Sequence, residues 1–170
     1  MADREAPSDD LPLDESETGA IGVLAESVGV WDVELEIRPG PDAEVLSTAG
    51  VSTSRLVGGR WLVTDLTTDS GFDGHGVYGW DAIANAYTAV WVDSAGGGMA
   101  RGTGHWDPST RTATYEMAVE IPGGTVRYRE TTETVDDDTR AYRNLMPRPA
   151  GEAGGRGEYE AIKGTYRRRS

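Results

Sequence analysis

The sequence of 170 residues has no cysteine, one phenylalanine, one lysine and two histidines. Without cysteine, disulfides, thiol catalysis and thiolate metal sites are excluded. Metal centres usually need three or four ligands, so His75 and His105 alone do not support a metal or haem site. The sequence also lacks a Gly-x-Ser-x-Gly elbow and a glycine-rich phosphate loop between a strand and a helix. We therefore expect neither a metal nor a cofactor.

Positive charge and long apolar runs are scarce as well. The net charge is −13 and the isoelectric point is about 4.5. Such an acidic surface repels nucleic acid and anionic membranes, so we expect neither as a partner. No run of about 18 apolar residues offers a membrane span. The N-terminal stretch MADREAPSDD lacks the basic and apolar regions of a secretory signal, which predicts a cytoplasmic protein.

The chain divides into an N-terminal tail and one domain. Residues 1–17 are rich in acids and contain few large apolar side chains, which predicts a disordered acidic tail. Residues 18–170 are predicted to form a single domain. At its start, Thr18 is expected to cap a short helix over 20–25, where apolar residues recur at helical spacing. Gly29 then ends the helix and the first strand follows.

The stretch SVGVWDVELEIRPG (27–40) begins a series of strand patterns. From Trp31 onward every second residue is apolar and the residues between are charged, as in a strand with one dry face. Similar patterns recur after turns rich in glycine, proline and aspartate, whereas DSGFDGHG (69–76) is predicted as a loop. Short connections favour an all-β fold, a single antiparallel up-and-down barrel of about eight to ten strands, over a Greek-key sandwich. The further predicted strands are 44–57, 60–68, 77–82, 86–94, 99–106, 112–120, 125–134, 139–147 and 158–168.

Several motifs resemble known proteins. Gly29-Val30-Trp31 in the first strand and Tyr166-Arg167 in the last are similar to calycins, the group of lipocalins and fatty-acid-binding proteins. That resemblance implies that Trp31 plugs one barrel end, with an arginine of the closing strand packed across it. The stretches LVGGRWLV, YGWD, YTAVWVDS and GTYRR resemble a family of small bacterial proteins, domain of unknown function 1579, over residues 20–169. That family usually has tyrosine at the position of Trp80, and it carries no common activity to transfer.

Polar residues in the predicted inner faces suggest a cavity. Tyr128 and Glu130 share a face of strand 125–134, and Arg143 shares a face with apolar residues of strand 139–147. A filled core would not accept an unpaired Glu or Arg, because an isolated buried charge is costly. We therefore predict that Tyr128, Glu130 and Arg143 line a pocket, with Glu130 and Arg143 as a buried pair. Leu35 and Ile37 are expected to border this cavity.

Aromatic side chains form the second group of candidates. Such residues also fill barrels without any function, and that alternative stays open. A pocket of this composition would be mainly apolar with a few fixed polar groups, here Asp93 and His105. In a dry pocket Asp93, His105 or Glu130 could act as a general acid or base. The apolar ligand-binding candidates are Trp80, Tyr87, Trp91, Tyr115 and Met117.

Three functions are compatible with this sequence. The first is binding of a small hydrophobic or aromatic molecule inside the barrel. The second is a cofactor-independent enzyme on the same barrel, such as an isomerase, cyclase or hydratase. The third is an interaction protein whose barrel is filled. In each case we expect a monomer or a homodimer, and Trp31 is assigned a structural role outside the site.

Overall fold

The computed structural model describes residues 14–149 and 157–170, which form one helix and ten strands. The predicted loop 148–157 and the predicted tail 1–17 therefore lie largely outside the described residues, and helix α1 already begins at Glu15. The elements are α1 (Glu15–Ala25), β1 (Gly29–Ile37), β2 (Leu46–Val57), β3 (Trp61–Thr68), β4 (Asp73–Asp81), β5 (Ala86–Asp93), β6 (Ala100–Asp107), β7 (Thr112–Ile121), β8 (Gly124–Thr134), β9 (Thr139–Pro147) and β10 (Glu158–Arg168).

The ten strands form a closed antiparallel barrel in up-and-down order. Each strand pairs with the next along the chain, and β1 closes the barrel by pairing with β10. In that register Trp31 lies opposite Arg168 of β10 and Ser52 of β2. The predicted barrel is therefore confirmed, and the sandwich alternative is wrong. Closure also leaves no free sheet edge among these strands.

Strand β1 follows the alternation of its sequence. Trp31, Val33 and Leu35 are buried inside the barrel, and the charged residues between them are exposed. On the outside, Glu34 pairs with Arg167 of β10 at 3.0 Å. Such an exposed ion pair contributes little to stability, so apolar burial and the strand ladder hold β1 in place.

Asp14 caps helix α1. Its side chain accepts a hydrogen bond from the backbone N–H of Glu17 at 2.7 Å, which satisfies one of the free amides of the first turn. The Thr18 hydroxyl instead donates to the Asp14 carbonyl oxygen at 2.8 Å, one turn inside the helix. The prediction that Thr18 is the cap was wrong. Aspartate and threonine both cap helices well, so residue type alone could not decide between Asp14 and Thr18.

Helix α1 closes one end of the barrel. Ala20 and Leu24 are buried against the barrel interior, and the Tyr87 hydroxyl donates to the Ala20 carbonyl oxygen at 3.2 Å. Glu17 forms an ion pair with Arg60 in the turn between β2 and β3. The helix is thereby fixed to β3, β4 and β5 at the end of the barrel where that turn lies.

The glycine-rich segment 69–76 is only partly a loop. Strand β4 begins at Asp73, so the predicted loop was wrong over 73–76. Gly74 and Gly76 are buried on the inner face, and a Cβ at either position would collide with the Trp91 side chain. Glycine stands here because the neighbouring indole needs the space, which is a common reason for glycine within a strand.

Candidate functional site

The barrel encloses a cavity of about 610 Å³. It extends from Leu24 and Trp31 at the α1 end to Pro39, Gly97 and Ile121 at the opposite end, and its lining is mainly apolar. This volume lies within the range of about 300–1,000 Å³ that small-molecule sites occupy. Leu35 and Ile37 line it, as predicted. A filled barrel does not agree with a cavity of this size.

Two arginines and Trp31 close the cavity at the α1 end. The Trp31 ring is 3% exposed, and the guanidinium groups of Arg168 and Arg140 lie 4.2 Å and 5.0 Å from its centroid. The indole Nε1 donates to the Ser27 carbonyl oxygen at 3.0 Å. The resemblance pointed to Tyr166-Arg167 for this contact, but Arg167 faces outward and Arg168 packs on Trp31.

Backbone carbonyl oxygens hold both of these arginines. Arg140 donates to the carbonyl oxygens of Asp136 at 2.5 Å and Glu26 at 3.1 Å. Arg168 donates to those of Val28 at 2.5 Å and Glu26 at 2.8 Å. The terminal nitrogens of both arginines thus have carbonyl acceptors, which offsets the cost of burying their charge, whereas the Nε of Arg140 has no partner among the described residues.

Glu130 lies inside the barrel at the middle of β8. It is 7% exposed, and it faces Tyr115 on β7 and Asn144 on β9. No ion pair among residues 14–149 and 157–170 includes it. Burial raises the pKa of Glu130 to about 7, although a hydrogen bond with Tyr142 lowers it in part. Its carboxyl group is therefore poised between its two protonation states near neutral pH.

Five tyrosines from five strands surround Glu130. Burial raises the pKa of each tyrosine hydroxyl, and the nearby Glu130 charge adds to the effect. The rings meet edge to face: Tyr78 lies 5.5 Å from Tyr115, and Tyr142 lies 6.3 Å from Tyr166. All five hydroxyls are consequently neutral at physiological pH. With Glu130 and Asn144 they form what we name the Glu130 cluster: Tyr78, Tyr115, Tyr128, Glu130, Tyr142, Asn144 and Tyr166.

Asn144 completes the cluster with an unsatisfied acceptor. Its side chain is 8% exposed and lines the cavity. Among the described residues its Oδ1 has no hydrogen-bond partner. A buried amide oxygen without a partner is costly, so Asn144 presents an acceptor to whatever enters the cavity.

The structure places eight of the ten predicted binding residues on the inner face. Trp80 and Met117 point inward but belong to the packed core beside the cavity; Trp80 stacks edge to face on Tyr87 at 5.0 Å. The cavity-lining members are Tyr87, Trp91, Asp93, Tyr115, Tyr128 and Glu130.

Arg143 and His105 lie on the outside, which corrects two predictions. Arg143 is exposed and pairs with Glu160 at 3.7 Å, so the predicted buried pair with Glu130 does not exist. The inner face of β9 carries Tyr142 and Asn144, although the opposite face contains the apolar residues that suggested burial. His105 is exposed on β6, whose inner face carries Ala100, Gly102, Gly104 and Trp106; the two glycines make room for Met117 and Tyr115.

Asp93 has a structural role at the mouth of the cavity. Its Oδ2 accepts from Trp91 Nε1 at 2.9 Å. Its Oδ1 accepts from the backbone N–H groups of Ala95 at 3.0 Å and Gly96 at 2.9 Å. Both oxygens are thus engaged in orienting the indole and in holding the turn after β5. Of the three predicted acid or base candidates, Glu130 alone is both buried and in the cavity lining.

Sequence reasoning missed four inward residues that define the site. Tyr78, Tyr142, Asn144 and Tyr166 all line the cavity. The alternation from Tyr142 to Asn144 to Met146 was the available signal, because it places an aromatic and an apolar residue on one face. Arg143 between them drew attention to the wrong face.

The remaining chemical groups are dispersed. His75 lies on the outer face of β4, where its Nδ1 contacts Asp65 Oδ1 at 2.7 Å. Across the part of the chain that the structure describes, no group of three or more His, Asp or Glu residues is placed to hold a metal ion. In the same residues no helix has the length and apolar character to cross a membrane.

With the barrel and its cavity established, comparison with known proteins identifies the class. Residues 20–168 match the family described as "Protein of unknown function (DUF1579)". The chain belongs to that family. No curated protein matches it in sequence.

One solved structure supports the fold. The chain is similar to Rv2717c from M. tuberculosis, with a TM-score of 0.67 and 14% identity over 94% of this chain and 100% of that protein. A redesigned β-barrel, b11L5F_LGL, matches with a TM-score of 0.38 and 10% identity, covering 89% of this chain and 96% of the other. EF1p2_mFAP2b, solved with DFHBI, matches with a TM-score of 0.40 and 12% identity, covering 92% and 100%. At these identities only the likeness to Rv2717c carries weight, and it concerns the fold alone.

Proposed function

We propose that this protein binds a small, mainly hydrophobic or aromatic molecule inside its barrel, in the manner of calycins. The observation that carries the proposal is the apolar cavity of about 610 Å³ with the Glu130 cluster at its centre. Apolar walls supply binding free energy in proportion to the buried area, and a few polar groups fix the ligand's orientation. We also propose a cytoplasmic monomer or homodimer that binds no nucleic acid and no membrane, in keeping with its acidity.

The closed end and the packed aromatic core support a binding role. Trp31, two arginines and α1 block one end of the barrel, so a ligand would enter from the loops at the other end. The aromatic side chains on the inner face are held by edge-to-face contacts with one another. A rigid, preformed pocket loses little conformational entropy when a ligand binds, which favours affinity.

The test is titration with Nile red, an uncharged dye whose fluorescence rises in apolar surroundings. We expect saturable binding of one dye per chain. Thr132→Trp should weaken it at least about tenfold, because Thr132 lines the cavity and the indole would occupy the dye's volume. Thr131→Trp, on the neighbouring outward position of β8, is the matched control and should bind like the wild type.

Folding of both variants is checked by near-ultraviolet circular dichroism. Absence of saturable dye binding to the wild type would contradict the proposal, as would equal weakening by both variants. Native mass spectrometry of protein purified from its own host would identify a co-purifying ligand. An added ligand should raise the free energy of unfolding by about 2.7 kcal/mol at a hundredfold excess over its Kd.

A second candidate function is enzymatic, and one observation favours it. Glu130 combines a dry position with a pKa of about 7, which suits a general acid or base at neutral pH. The reaction would be one that needs no cofactor, such as an isomerisation, cyclisation or hydration of the bound molecule. The wild type and Glu130→Gln would be incubated with the co-purified ligand, and the products compared by mass spectrometry and NMR. Chemical change with the wild type alone supports catalysis; no change with either protein leaves binding as the function.

A further inference from the structure

We propose, building on the ligand-binding function above, that the cavity takes a ligand with a protonated amine on an apolar body, and that Glu130 is the counter-charge of that amine. Glu130 lies at the middle of the barrel, away from Trp31 and α1. An amine there would reach the carboxylate while the apolar part of the ligand fills the cavity toward its mouth. Three independent features of the Glu130 cluster support this class of ligand.

The first feature is the carboxylate itself. Glu130 is 7% exposed, and its one hydrogen bond among the described residues is with Tyr142. A buried carboxylate without a cation is unfavourable, and a cationic ligand removes that cost by supplying the missing charge. An anionic ligand would have the opposite effect, because two like charges would share a dry site.

The second feature is the aromatic wall around Glu130. Five tyrosines converge on it from β4, β7, β8, β9 and β10. The faces of aromatic rings attract cations, and rings combined with an acidic group are a common way to recognise ammonium groups. The hydroxyls of these tyrosines stay neutral, so they add no charge that would compete with Glu130.

The third feature is Asn144, whose side-chain oxygen has no partner among the described residues and lines the same cavity. It lies directly opposite Glu130 in the pairing of β8 with β9. A protonated amine has up to three N–H donors and no acceptor. One such group could therefore satisfy the Glu130 carboxylate and the Asn144 oxygen together.

The positive charges near the cavity do not offer a comparable site for an anion. Arg168 and the terminal nitrogens of Arg140 are bonded to backbone carbonyl oxygens, and both guanidinium groups pack on Trp31. At the mouth, Arg38 contacts the Pro41 carbonyl oxygen at 3.5 Å. Of the arginine nitrogens that the structure describes, the Nε of Arg140, at the far closed end, is buried without a partner. A carboxylate ligand that reached it would have to pass Glu130.

The experiment compares three probes of equal chain length by displacement of Nile red at pH 8: dodecylamine, dodecanol and dodecanoic acid, each at a concentration at which it is fully dissolved and forms no micelles. At this pH the amine is protonated, since amines of this kind titrate near pH 10. We expect dodecylamine to bind at least about tenfold more tightly than dodecanol, with dodecanoic acid weakest. Glu130→Gln should remove the advantage of the amine over dodecanol, because the amide carries no negative charge.

Glu133→Gln is the matched control, because it removes the same charge from an exposed position on the same strand. It should keep the preference for the amine, which separates a specific contact from attraction to an acidic protein. Equal binding of amine and alcohol by the wild type would overturn the proposal, whether or not Glu130→Gln folds. So would loss of the preference in Glu133→Gln, or tightest binding of dodecanoic acid. If dodecanol and Nile red bind but the amine has no advantage, this inference fails and the ligand-binding function stands; if no probe binds, both fail.

Discussion

The closed end of the barrel and the Glu130 cluster differ in how their buried charges are compensated. At the closed end, Arg140 and Arg168 pack on Trp31 and donate to backbone carbonyl oxygens. In the cluster, Glu130 is as deeply buried as Arg140, at 7% against 5% exposed, yet no cation accompanies it among the described residues. One region has its charges compensated by the protein, and the other does not.

This difference separates structural from functional burial. A charge whose surroundings satisfy it can hold a fold together without a ligand. A charge that the fold leaves uncompensated reduces stability, and such sites are typical of binding or catalysis. Changes at the closed end should therefore reduce stability, whereas removal of the Glu130 charge should raise stability and alter ligand selection.

Trp31→Ala gives the largest expected effect. Loss of a buried indole that two guanidinium groups cover should lower the free energy of unfolding by about 3–5 kcal/mol. The measurement is urea unfolding followed by circular dichroism. If the closed end is structural, the order of affinity for different probes should stay as in the wild type. A Trp31→Ala protein of unchanged stability, or one with altered ligand choice, would contradict this division of roles.

Glu130→Gln should have the opposite sign and depend on pH. The pKa of Glu130 rises from its ordinary value of 4.5 to about 7 on folding, so the native state holds the proton more tightly than the unfolded state. Its contribution to stability is fully present below pH 4.5 and is lost as the pH rises to about 7. Glutamine cannot ionise, so the variant should gain up to about 3 kcal/mol over the wild type at pH 8 and little at pH 4.

The measurement for Glu130→Gln is urea unfolding of both proteins at pH 4, 6 and 8, with Glu133→Gln as the control at an exposed position. The five tyrosines of the Glu130 cluster stay neutral throughout this range, because burial raises their pKa. The difference between the wild type and Glu130→Gln therefore reports on Glu130, because every other titratable group is present in both proteins. A stability difference that does not vary with pH would show that the carboxyl group is not poised as described.

Asp14→Ala tests a smaller contribution at the closed end. Removal of this cap should lower the free energy of unfolding by about 1 kcal/mol, since the Glu17 amide loses its acceptor. Thr18→Ala should change it by less than about 0.5 kcal/mol, because that hydroxyl bonds to a carbonyl oxygen on an exposed face. Thermal unfolding of both variants measures the two losses of stability. A larger loss for Thr18→Ala than for Asp14→Ala would show that Thr18 is the cap.

The sequence predicted the barrel well because its strands alternate and its turns carry strong signals. In β1 every second residue is apolar, and the closed barrel buries those residues as that alternation predicts. The prediction failed where glycine occupied the inner face. In β4 and β6 glycines make room for Trp91 and Met117. A glycine-rich stretch without alternation resembles a loop, so part of β4 was missed.

The candidate site was predicted in part for a related reason. Glu130 and Tyr128 share a face in a strand whose two faces are equally polar, and the expectation of a hydrated cavity was enough to select them. The predicted pair of Glu130 with Arg143 required the face of β9 that carries Arg143 to be inside the barrel. That face also carries two apolar residues, which suggested burial, but it points outward. Tyr78 and Tyr166 come close to Glu130 only because the barrel closes. A pattern within one strand cannot predict contacts between residues so far apart in the sequence.

Arg143→Ala should have the smallest effect, and it tests that choice of face directly. The Arg143 side chain is 61% exposed and its contact with Glu160 is solvent-accessible, so the free energy of unfolding should change by less than about 0.5 kcal/mol. Nile red binding should not change either, since the side chain points away from the cavity. Arg140→Ala, three residues earlier on the same strand, should clearly lower the free energy of unfolding. The carbonyl oxygens that accept from Arg140 would lose their donor, and the Trp31 ring would lose its contact with the guanidinium group. If Arg143→Ala weakened dye binding or Arg140→Ala were harmless, the inner and outer faces of β9 would have to be exchanged. The uncompensated state of Glu130 would then lose its basis, because Arg143 would stand beside it.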